Sequence, residues 1–311
     1  MLTSESKKKS SVRTAFGLVM ITVTFILSVK MSGRINYYIK SGLSLCFEAI
    51  IGSVFPFMII SDIIGEIDIF QKKSIFKTAF EKLFKINGNA ISAFVLGIVC
   101  GFPIGIKTAA NLYRKQYVSR DECERLIAIS GNMSPAFIIS GIGAALCKSI
   151  KAGILLYALS IMSSVFLGII LGIGKSAGDV IMPHNENNFS LTKSIKNASL
   201  NTIGICGFIL FFSAVCGICR EFIKNRFLYV CLLPFLEVSN AAKEISALIF
   251  VEQNLKLSLI SFSVSFSGLS IFMQTKSFIS DLDLSMRPYF FTKLFSGLIS
   301  ALITHFVLNV T

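Results

Sequence analysis

The feature that most constrains this chain is a succession of nine long apolar stretches separated by short polar links. About 20 apolar residues are enough to cross a bilayer as a helix. The composition, with 53% hydrophobic and 15% charged residues, is that of an integral membrane protein rather than a soluble domain. We therefore predict an all-α transmembrane fold, a polytopic helical bundle that forms a single membrane domain over residues 1–311. The stretches are 14–29, 42–65, 90–112, 126–147, 153–174, 199–219, 227–250, 255–275 and 289–309.

The net charge of +13 is carried mostly by Lys and Arg in the short links between apolar stretches. Charge in that position orients membrane helices, so we predict the lipid bilayer as a partner and no nucleic acid. A small excess of Lys and Arg on one side favours a cytoplasmic N-terminus. The first stretch follows "SESKKKSSVR" but has no small-residue cleavage site, which predicts an uncleaved membrane helix.

Three of the links carry their own signals. The segment "QKKSIFKTAFEKLFK" places its apolar residues on one helical face opposite its lysines, which predicts an amphipathic helix at the membrane surface. In "SRDECERL", Ser119 and Glu122 have capping-box spacing and predict a helix that starts just after Ser119. The polar run 175–198 is the longest predicted loop. The apolar face of the amphipathic helix comprises Ile75, Phe76, Phe80, Leu83 and Phe84.

The two halves of the chain share an internal repeat. Its copies cover about 42–147 and about 227–309, joined by 148–226, and their corresponding elements lie five segments apart. If all intervening segments cross the bilayer, this odd offset inverts the second copy, an arrangement typical of secondary transporters. The alignment pairs 54–67 with 232–245, 101–108 with 268–275, 118–123 with 284–289 and 130–131 with 296–297.

Proline and glycine interrupt several apolar stretches and predict broken or re-entrant helices. Backbone groups freed by a break cannot stay unpaired in hydrocarbon, so they must face protein, water or a ligand. The series Gly97, Gly101, Gly105 also forms a small-residue stripe whose favoured interpretation is close helix packing. The predicted break residues are Pro56, Gly101, Pro103, Gly105, Pro135 and Pro234.

Polar residues near the breaks are the candidates for binding a small polar solute at the membrane midplane, helped by the charged ends of half-helices. A coupling ion such as Na⁺ or H⁺ is compatible with this site, and no cofactor is predicted. In the alternative interpretation, Ser and Asn only hold helices together. The candidates are Asp62, Lys107, Asn132, Ser134, Glu237, Ser239, Asn240 and Gln274.

Two further charged residues, Glu48 and Lys293, lie in apolar stretches, where they either reach the surface or pair. Signals for an enzyme are weak. "GIILGIGKS" lacks the first glycine of a phosphate-binding loop because position 169 is Ile169, and Cys216 and Cys219 have no second pair. We predict no enzyme, no metal site and no disulfide framework.

The motifs "FPFMIISDII", "GFPIGIKTAANL", "SRDECERLIAIS" with "GNMSPAFIISGIG", and "SFSGLSIFMQ" together resemble the YlbJ-type sporulation integral membrane proteins. The resemblance runs from about residue 42 to 309. These proteins carry the nucleoside recognition or gate domain, related to modules of concentrative nucleoside transporters. The family's Gly-aromatic-Pro-x-Gly-x-Lys motif falls on Gly101 to Lys107, whereas its Asn-Asn-Ser-Gly-Pro turn is kept only at Asn132 and Pro135.

The resemblance implies a multi-pass protein of the bacterial cell membrane that is needed for making the spore cortex. The leading hypothesis is a secondary-transporter-like carrier of a small polar solute. The alternative is a non-transporting scaffold or receptor of the sporulation machinery, with a homo-oligomer or other sporulation membrane proteins as partners. A membrane-embedded enzyme acting on lipid-linked precursors would need a converging acid, base or metal cluster, which the sequence does not indicate.

Overall fold

The computed structural model describes residues 32–66, 75–178 and 190–310, with isolated positions between 18 and 30. The predicted first membrane helix therefore lies largely outside the described residues. Within the described ranges the chain is helical and contains no strand. Four helices are long and apolar enough to cross a membrane, which confirms the predicted polytopic helical fold. They are Ile150–Gly172, Leu191–Phe222, Gln253–Phe278 and Arg287–Asn309.

Thirteen α-helices can be followed through these ranges. Ser190 caps α8, so this helix starts within the predicted loop 175–198. Two wider, π-helical segments, Cys46–Ile51 and Ala136–Leu146, follow α1 and α6. The helices are α1 Ser32–Leu45, α2 Gly52–Glu66, α3 Ile75–Phe84, α4 Ile91–Val99, α5 Ile104–Arg114, α6 Arg120–Ser130, α7 Ile150–Gly172, α8 Leu191–Phe222, α9 Arg226–Leu236, α10 Val238–Ser246, α11 Gln253–Phe266, α12 Gly268–Phe278 and α13 Arg287–Val310.

Helices α4 and α5 form a hairpin in which neither helix is long enough to cross a bilayer. Each has about ten residues and so a length of about 15 Å, half the thickness of the hydrocarbon core. The turn between them contains Gly101 in the left-handed region, at φ +79°, and a cis peptide bond before Pro103. Gly97 and Gly105 face each other so closely that a Cβ on Gly105 would overlap Gly97. We call residues 91–114 the first hairpin.

A second hairpin, residues 226–246, consists of α9 and α10 and turns at Glu237. Its open end is held where Arg226 Nη2 donates to the carbonyl oxygen of Ala247 at 3.5 Å. The two hairpins open at opposite ends of α13. Arg114, at the open end of the first hairpin, pairs with Asp281 just before α13 begins, whereas Asn254, just after the second hairpin, bonds Leu308 near its end.

Each hairpin is followed by a broken helix and then by a long helix. After the first hairpin, α6 is separated from its continuation Ala136–Leu146 by the non-helical residues 131–134, and α7 follows. After the second, Ser267 and Gly268 take left-handed conformations, at φ +73° and +75°, between α11 and α12. The same order of elements therefore occurs twice, in residues 91–172 and 226–310, which we call the first and the second unit.

The tip of each hairpin packs against the break in the helix that follows it. A Cβ on Gly101 would overlap Ser134, and a Cβ on Gly268 would press on the carbonyl oxygens of Pro234 and Leu236. The sequence alignment paired Gly101 with Gly268. Both glycines adopt left-handed backbone, but Gly101 lies at a hairpin tip and Gly268 lies inside a crossing helix, so the two are not equivalent in the fold.

Two predicted breaks are wrong in position. Pro56 lies inside α2 and Pro234 inside α9. A proline removes one backbone donor and its ring presses on the carbonyl four residues before it. The helix that contains Pro56 is preceded by the π-helical segment Cys46–Ile51, so the irregular backbone lies before the proline. The helix that contains Pro234 continues to Leu236 and ends at Glu237.

The chain bends by 103° between helix α3 and the start of the first hairpin, and we call this bend the corner. Arg125, which is buried on α6, donates hydrogen bonds to the carbonyl oxygens of Phe84 and Lys85, each at 2.8 Å. Glu122 accepts from the backbone N–H of Asn87 at 2.7 Å while completing the predicted capping box with Ser119, which is thereby confirmed. Two charged side chains of α6 therefore hold the backbone of the corner.

Of the predicted apolar face of α3, only Phe80 and Phe84 are buried in the protein. Their rings lie 5.0 Å apart and both approach the ring of Phe94 on α4. Ile75 and Phe76 remain exposed. The aromatic contacts fix the second half of α3 on the hairpin, and the first half presents apolar side chains outward, as the predicted surface helix requires.

The first hairpin tip generates a stability prediction. We expect Gly101→Ala to lower the free energy of unfolding by about 2–4 kcal/mol, because Ala at positive φ is strained and its methyl group would overlap Ser134. Gly207→Ala is the matched control. Its Cβ meets nothing within 4 Å on α8, so we expect a gain of about 0.5–1 kcal/mol. Denaturant titration of the protein in detergent measures both values, and equal effects would contradict the packing described.

The corner generates a second prediction. We expect Arg125→Met to lower the free energy of unfolding by about 2–4 kcal/mol, because two buried carbonyls lose a charged donor. The control is Arg120→Met on the same helix, whose exposed ion pairs contribute about 0–1 kcal/mol. Thermal unfolding in detergent compares them. A similar melting temperature for both variants would show that the corner does not depend on Arg125.

Candidate solute site at the helix breaks

Asn132, in the break after α6, joins four parts of the fold. Its backbone carbonyl accepts from the N–H of Phe102 at 2.6 Å, which pairs the first hairpin tip with the break. Its side-chain Nδ2 donates to the carbonyl of Ile129 at 2.7 Å, and its Oδ1 accepts from Ser164 of α7 at 2.7 Å. The same Oδ1 accepts from Lys293 Nζ of α13 at 2.9 Å. A break in one unit is thus tied to the long helices of both units.

Lys293 is the most unusual residue of this site. It lies in the seventh position of a 24-residue apolar helix, and only 2% of it is exposed. The side chain therefore does not reach the surface, one of the two alternatives left open by the sequence. Asn132 Oδ1 is its hydrogen-bond acceptor among the described residues, and no described carboxylate lies within ion-pair distance of Nζ. An ammonium in this position has a neutral partner.

Serine and threonine hydroxyls continue from Lys293 along the contact between α7, α11 and α13. Ser163 Oγ lies 2.6 Å from Ser296 Oγ and 2.9 Å from Ser300 Oγ, and Thr304 donates to Ser261 at 2.8 Å. All five are buried. We call this line of hydroxyls, from Ser296 to Thr304 on α13, the hydroxyl seam. It gives the membrane interior a continuous polar strip that begins one turn after Lys293.

Tyr289, one turn before Lys293 on α13, links the two units at the same level. It is buried, and a Cβ on Gly131, the neighbour of Asn132, would overlap its ring edge. Its ring also packs on Phe272 of α12, with centroids 6.1 Å apart. The hydroxyl of Tyr289 and that of Ser130 are buried without a hydrogen-bond partner among the described residues. Two of the seven buried side-chain polar atoms of this kind therefore belong to residues that adjoin the break at Asn132.

A second polar centre lies at the tip of the second hairpin. Glu237 is buried, and its carboxylate accepts from the backbone N–H groups of Ser239 at 3.0 Å and Asn240 at 2.7 Å. Asn240 Nδ2 donates both to Glu237 Oε2 at 2.8 Å and to Ser213 Oγ of α8 at 3.1 Å. The carboxylate caps the N-terminus of α10, where the helix dipole favours a negative charge. Glu237 therefore has a structural role in this conformation.

The remaining candidates from the sequence fall in other places. Gln274 is buried on α12 and donates from Nε2 to Ser270 Oγ at 3.1 Å, with its Oε1 unpartnered. Lys107 is half-buried on α5 and has interaction partners. Ser134 caps the segment after the break by accepting from the N–H of Phe137. The side chain of Asp62 lies outside the described residues. Pro103 and Pro135 each stand directly before a helical segment, and Gly105 lies in the first turn of α5.

One pattern in the sequence alone distinguishes Lys293 from an isolated buried lysine. Its spacing to Ser296, Ser300 and Thr304 places all four on one face of a helix, a polar stripe in an apolar segment. Helix α11 and the following turn contain five serines and show a related pattern, with Ser258, Ser261 and Ser265 on one face. What the sequence does not carry is which of these stripes face each other.

At the end of α12, ion pairs join the two units outside the apolar core. Arg114 forms two hydrogen bonds to the carboxylate of Asp281, at 2.8 and 3.0 Å, and thereby lowers the pKa of that carboxyl below its ordinary value. Arg120 pairs with Asp283 at 2.7 Å, and Glu124 accepts from the N–H of Ser285. We call these contacts the inter-unit clasp. They close the end of the bundle at which the first hairpin opens.

Comparison with known proteins gives one informative match. The chain is similar to the sporulation integral membrane protein YlbJ of Bacillus subtilis (strain 168), with 23% identity over 307 residues. The similarity covers 84% of this chain and 74% of that protein. It supports the resemblance to YlbJ-type proteins drawn from the motifs. This chain is a multi-pass helical membrane protein. No family model and no solved structure matches it.

The two polar centres generate opposite stability predictions. We expect Glu237→Gln to lower the free energy of unfolding by about 1–3 kcal/mol, because an amide is a poorer cap for α10. We expect Lys293→Met to leave it unchanged or raise it by up to about 2 kcal/mol, because a buried ammonium without a carboxylate partner is costly. Thermal unfolding in detergent separates them. A destabilised Lys293→Met variant would mean that this lysine serves mainly to hold the helices together.

Proposed function

We propose that this protein is a sporulation-associated membrane carrier that moves a small polar solute needed for spore cortex formation. The single observation that carries the proposal is the buried polar centre formed by Asn132 and Lys293 at a broken helix. Charged side chains within membrane helices are costly and are kept mainly for transport or binding. The similarity to YlbJ supports the association with sporulation.

The arrangement of the two units supports a carrier mechanism. We infer that residues 91–172 and 226–310 are inverted repeats, because the same order of hairpin, broken helix and long helix occurs twice and the hairpins open at opposite ends. Such repeats let a protein expose a central site to either side of the membrane in turn. Movement of one unit against the other would alter the contacts around each hairpin tip and the helix break against which it packs.

The inter-unit clasp would close the site at one end in this conformation. Arg114 and Arg120 belong to the first unit, while Asp281 and Asp283 belong to the second. These ion pairs are exposed and individually weak, so they can separate at small energetic cost. In a carrier they would open once in each cycle, whereas a scaffold or receptor would have no need to open them. This difference separates the leading proposal from its alternative.

The first experiment asks whether the polar centre is needed. Genes for the wild-type chain, Lys293→Met and the exposed control Lys276→Met are expressed in a Bacillus subtilis strain that lacks YlbJ, and heat-resistant spores are counted. We expect the wild type and Lys276→Met to restore spores and Lys293→Met to fail at equal abundance in the membrane. Restoration by Lys293→Met would contradict the proposal.

The second experiment asks whether the clasp must open. Cysteines replace Arg114 and Asp281, and a short membrane-permeant bis-maleimide is added to sporulating cells. The untreated double variant, Arg114→Cys alone and the treated wild type serve as controls. A link across a contact that is already closed arrests a carrier but leaves a scaffold unaffected. Loss of heat-resistant spores in the linked variant alone is expected, and normal spore counts would favour the scaffold.

A further inference from the structure

The charge at Lys293 has chemical consequences for the solute. An ammonium carries three N–H donors, and in this structure Asn132 Oδ1 accepts one of them at 2.9 Å. Moving an unpaired ion out of water into a low-dielectric interior is strongly unfavourable unless an opposite charge and further hydrogen bonds accompany it. Only 2% of the surface of Lys293 is exposed. Among the described residues, the site therefore lacks a counter-charge.

The buried acids that the structure describes do not supply this counter-charge. Glu237 is engaged with the first amides of α10, in the second hairpin. Glu122 is engaged with Ser119, Asn87 and Gly178 at the corner beside α3. Neither carboxylate lies within ion-pair distance of Lys293 Nζ. The lysine at this position is therefore either a neutral amine or the partner of a negative charge from outside the described part of the chain.

The groups around Lys293 are suited to an anion. Tyr289 lies one turn before it and Ser296 one turn after it on the same helix, so their hydroxyls are on the same face. The hydroxyls of Tyr289 and Ser130 are buried and have no hydrogen-bond partner. Both residues adjoin the break at Asn132, because Gly131 packs on the Tyr289 ring and Ser130 ends α6, where its Cβ faces Gly105 of the first hairpin. Hydroxyl donors beside an ammonium are a typical setting for carboxylate or phosphate oxygens.

We propose that the solute carries an anionic group, a carboxylate or a phosphate, that pairs with the ammonium of Lys293, with the hydroxyl of Tyr289 on the same helix face as a further donor. This inference rests on the proposed carrier function and adds the charge class of its solute. A neutral polar solute would leave the ammonium uncompensated, and a cationic solute would be repelled. The negative charge of the bound solute is the missing partner of the lysine.

The test compares probes that differ in charge. The purified full-length chain in detergent is heated with glutamate or glutamine, and with N-acetylglucosamine 1-phosphate or N-acetylglucosamine, at one ionic strength. Inorganic phosphate is a fifth probe, which tells a free anion from an anionic group on a larger solute. A ligand that binds the folded state raises the melting temperature with the logarithm of its concentration. We expect at least one anionic probe to do so and its neutral partner not to.

Variants assign the effect to Lys293. We expect Lys293→Met to weaken binding of the active anion by about tenfold to hundredfold, as loss of a charged hydrogen bond does, while Lys276→Met keeps it. Asn132→Asp places a carboxylate beside the lysine with little change in shape, and should also abolish the response. This second variant answers the question if Lys293→Met fails to fold.

Three results would overturn the inference: equal shifts with charged and neutral probes, an unchanged shift in Lys293→Met, or no shift with any anion. The carrier proposal is judged separately by the clasp experiment, which needs no knowledge of the solute. If linking Arg114 to Asp281 arrests spore formation while anions have no effect, the chain is a carrier whose solute is not anionic. If anions bind but the link is harmless, the site recognises an anion without moving it.

Discussion

Unpaired backbone groups inside a membrane are the constraint on which this structure depends. In hydrocarbon, a hairpin turn and an unwound stretch of helix each leave amides and carbonyls without partners in their own helix, at a cost of several kcal/mol for each group that stays unpaired. The fold places one beside the other. The amide of Phe102 at a hairpin tip bonds the carbonyl of Asn132 in the following break, and Gly101 and Gly268 permit the close approach. Each irregularity is satisfied by another, so neither could exist alone.

The two polar centres solve the problem of buried charge differently. The Glu237 carboxylate has local hydrogen-bond donors, because the amides at the start of α10 and the side chain of Asn240 donate to it. Lys293 has a neutral acceptor and neighbouring hydroxyls. A carboxylate at a helix N-terminus stabilises the fold, whereas a buried lysine without an opposite charge destabilises it. The contrast explains why we assign a supporting role to the first centre and solute contact to the second.

The sequence was sufficient to predict the membrane class, the capping box of α6 and the irregular backbone around Gly101, because these depend on local composition and spacing. It misplaced the breaks at Pro56 and Pro234, since a helix can widen or continue for several residues around a proline. The solute candidates Glu237, Asn240 and Gln274 were chosen because they are polar and lie near predicted helix breaks. Whether a polar side chain is engaged by its own helix or faces another helix depends on tertiary contacts. The sequence therefore did not place Lys293 among the solute candidates.

The hydroxyl seam bears on how α13 can move. A hydroxyl both donates and accepts, and it rotates freely about its carbon–oxygen bond, so it can exchange one neighbour for the next without a bond being lost for long. Ser163 already stands between Ser296 and Ser300, within reach of both. A displacement of α13 along α7 by part of a turn would pass the bond from one serine to the other. The helix that carries the lysine can therefore shift along α7 by exchanging hydroxyl hydrogen bonds rather than by losing them.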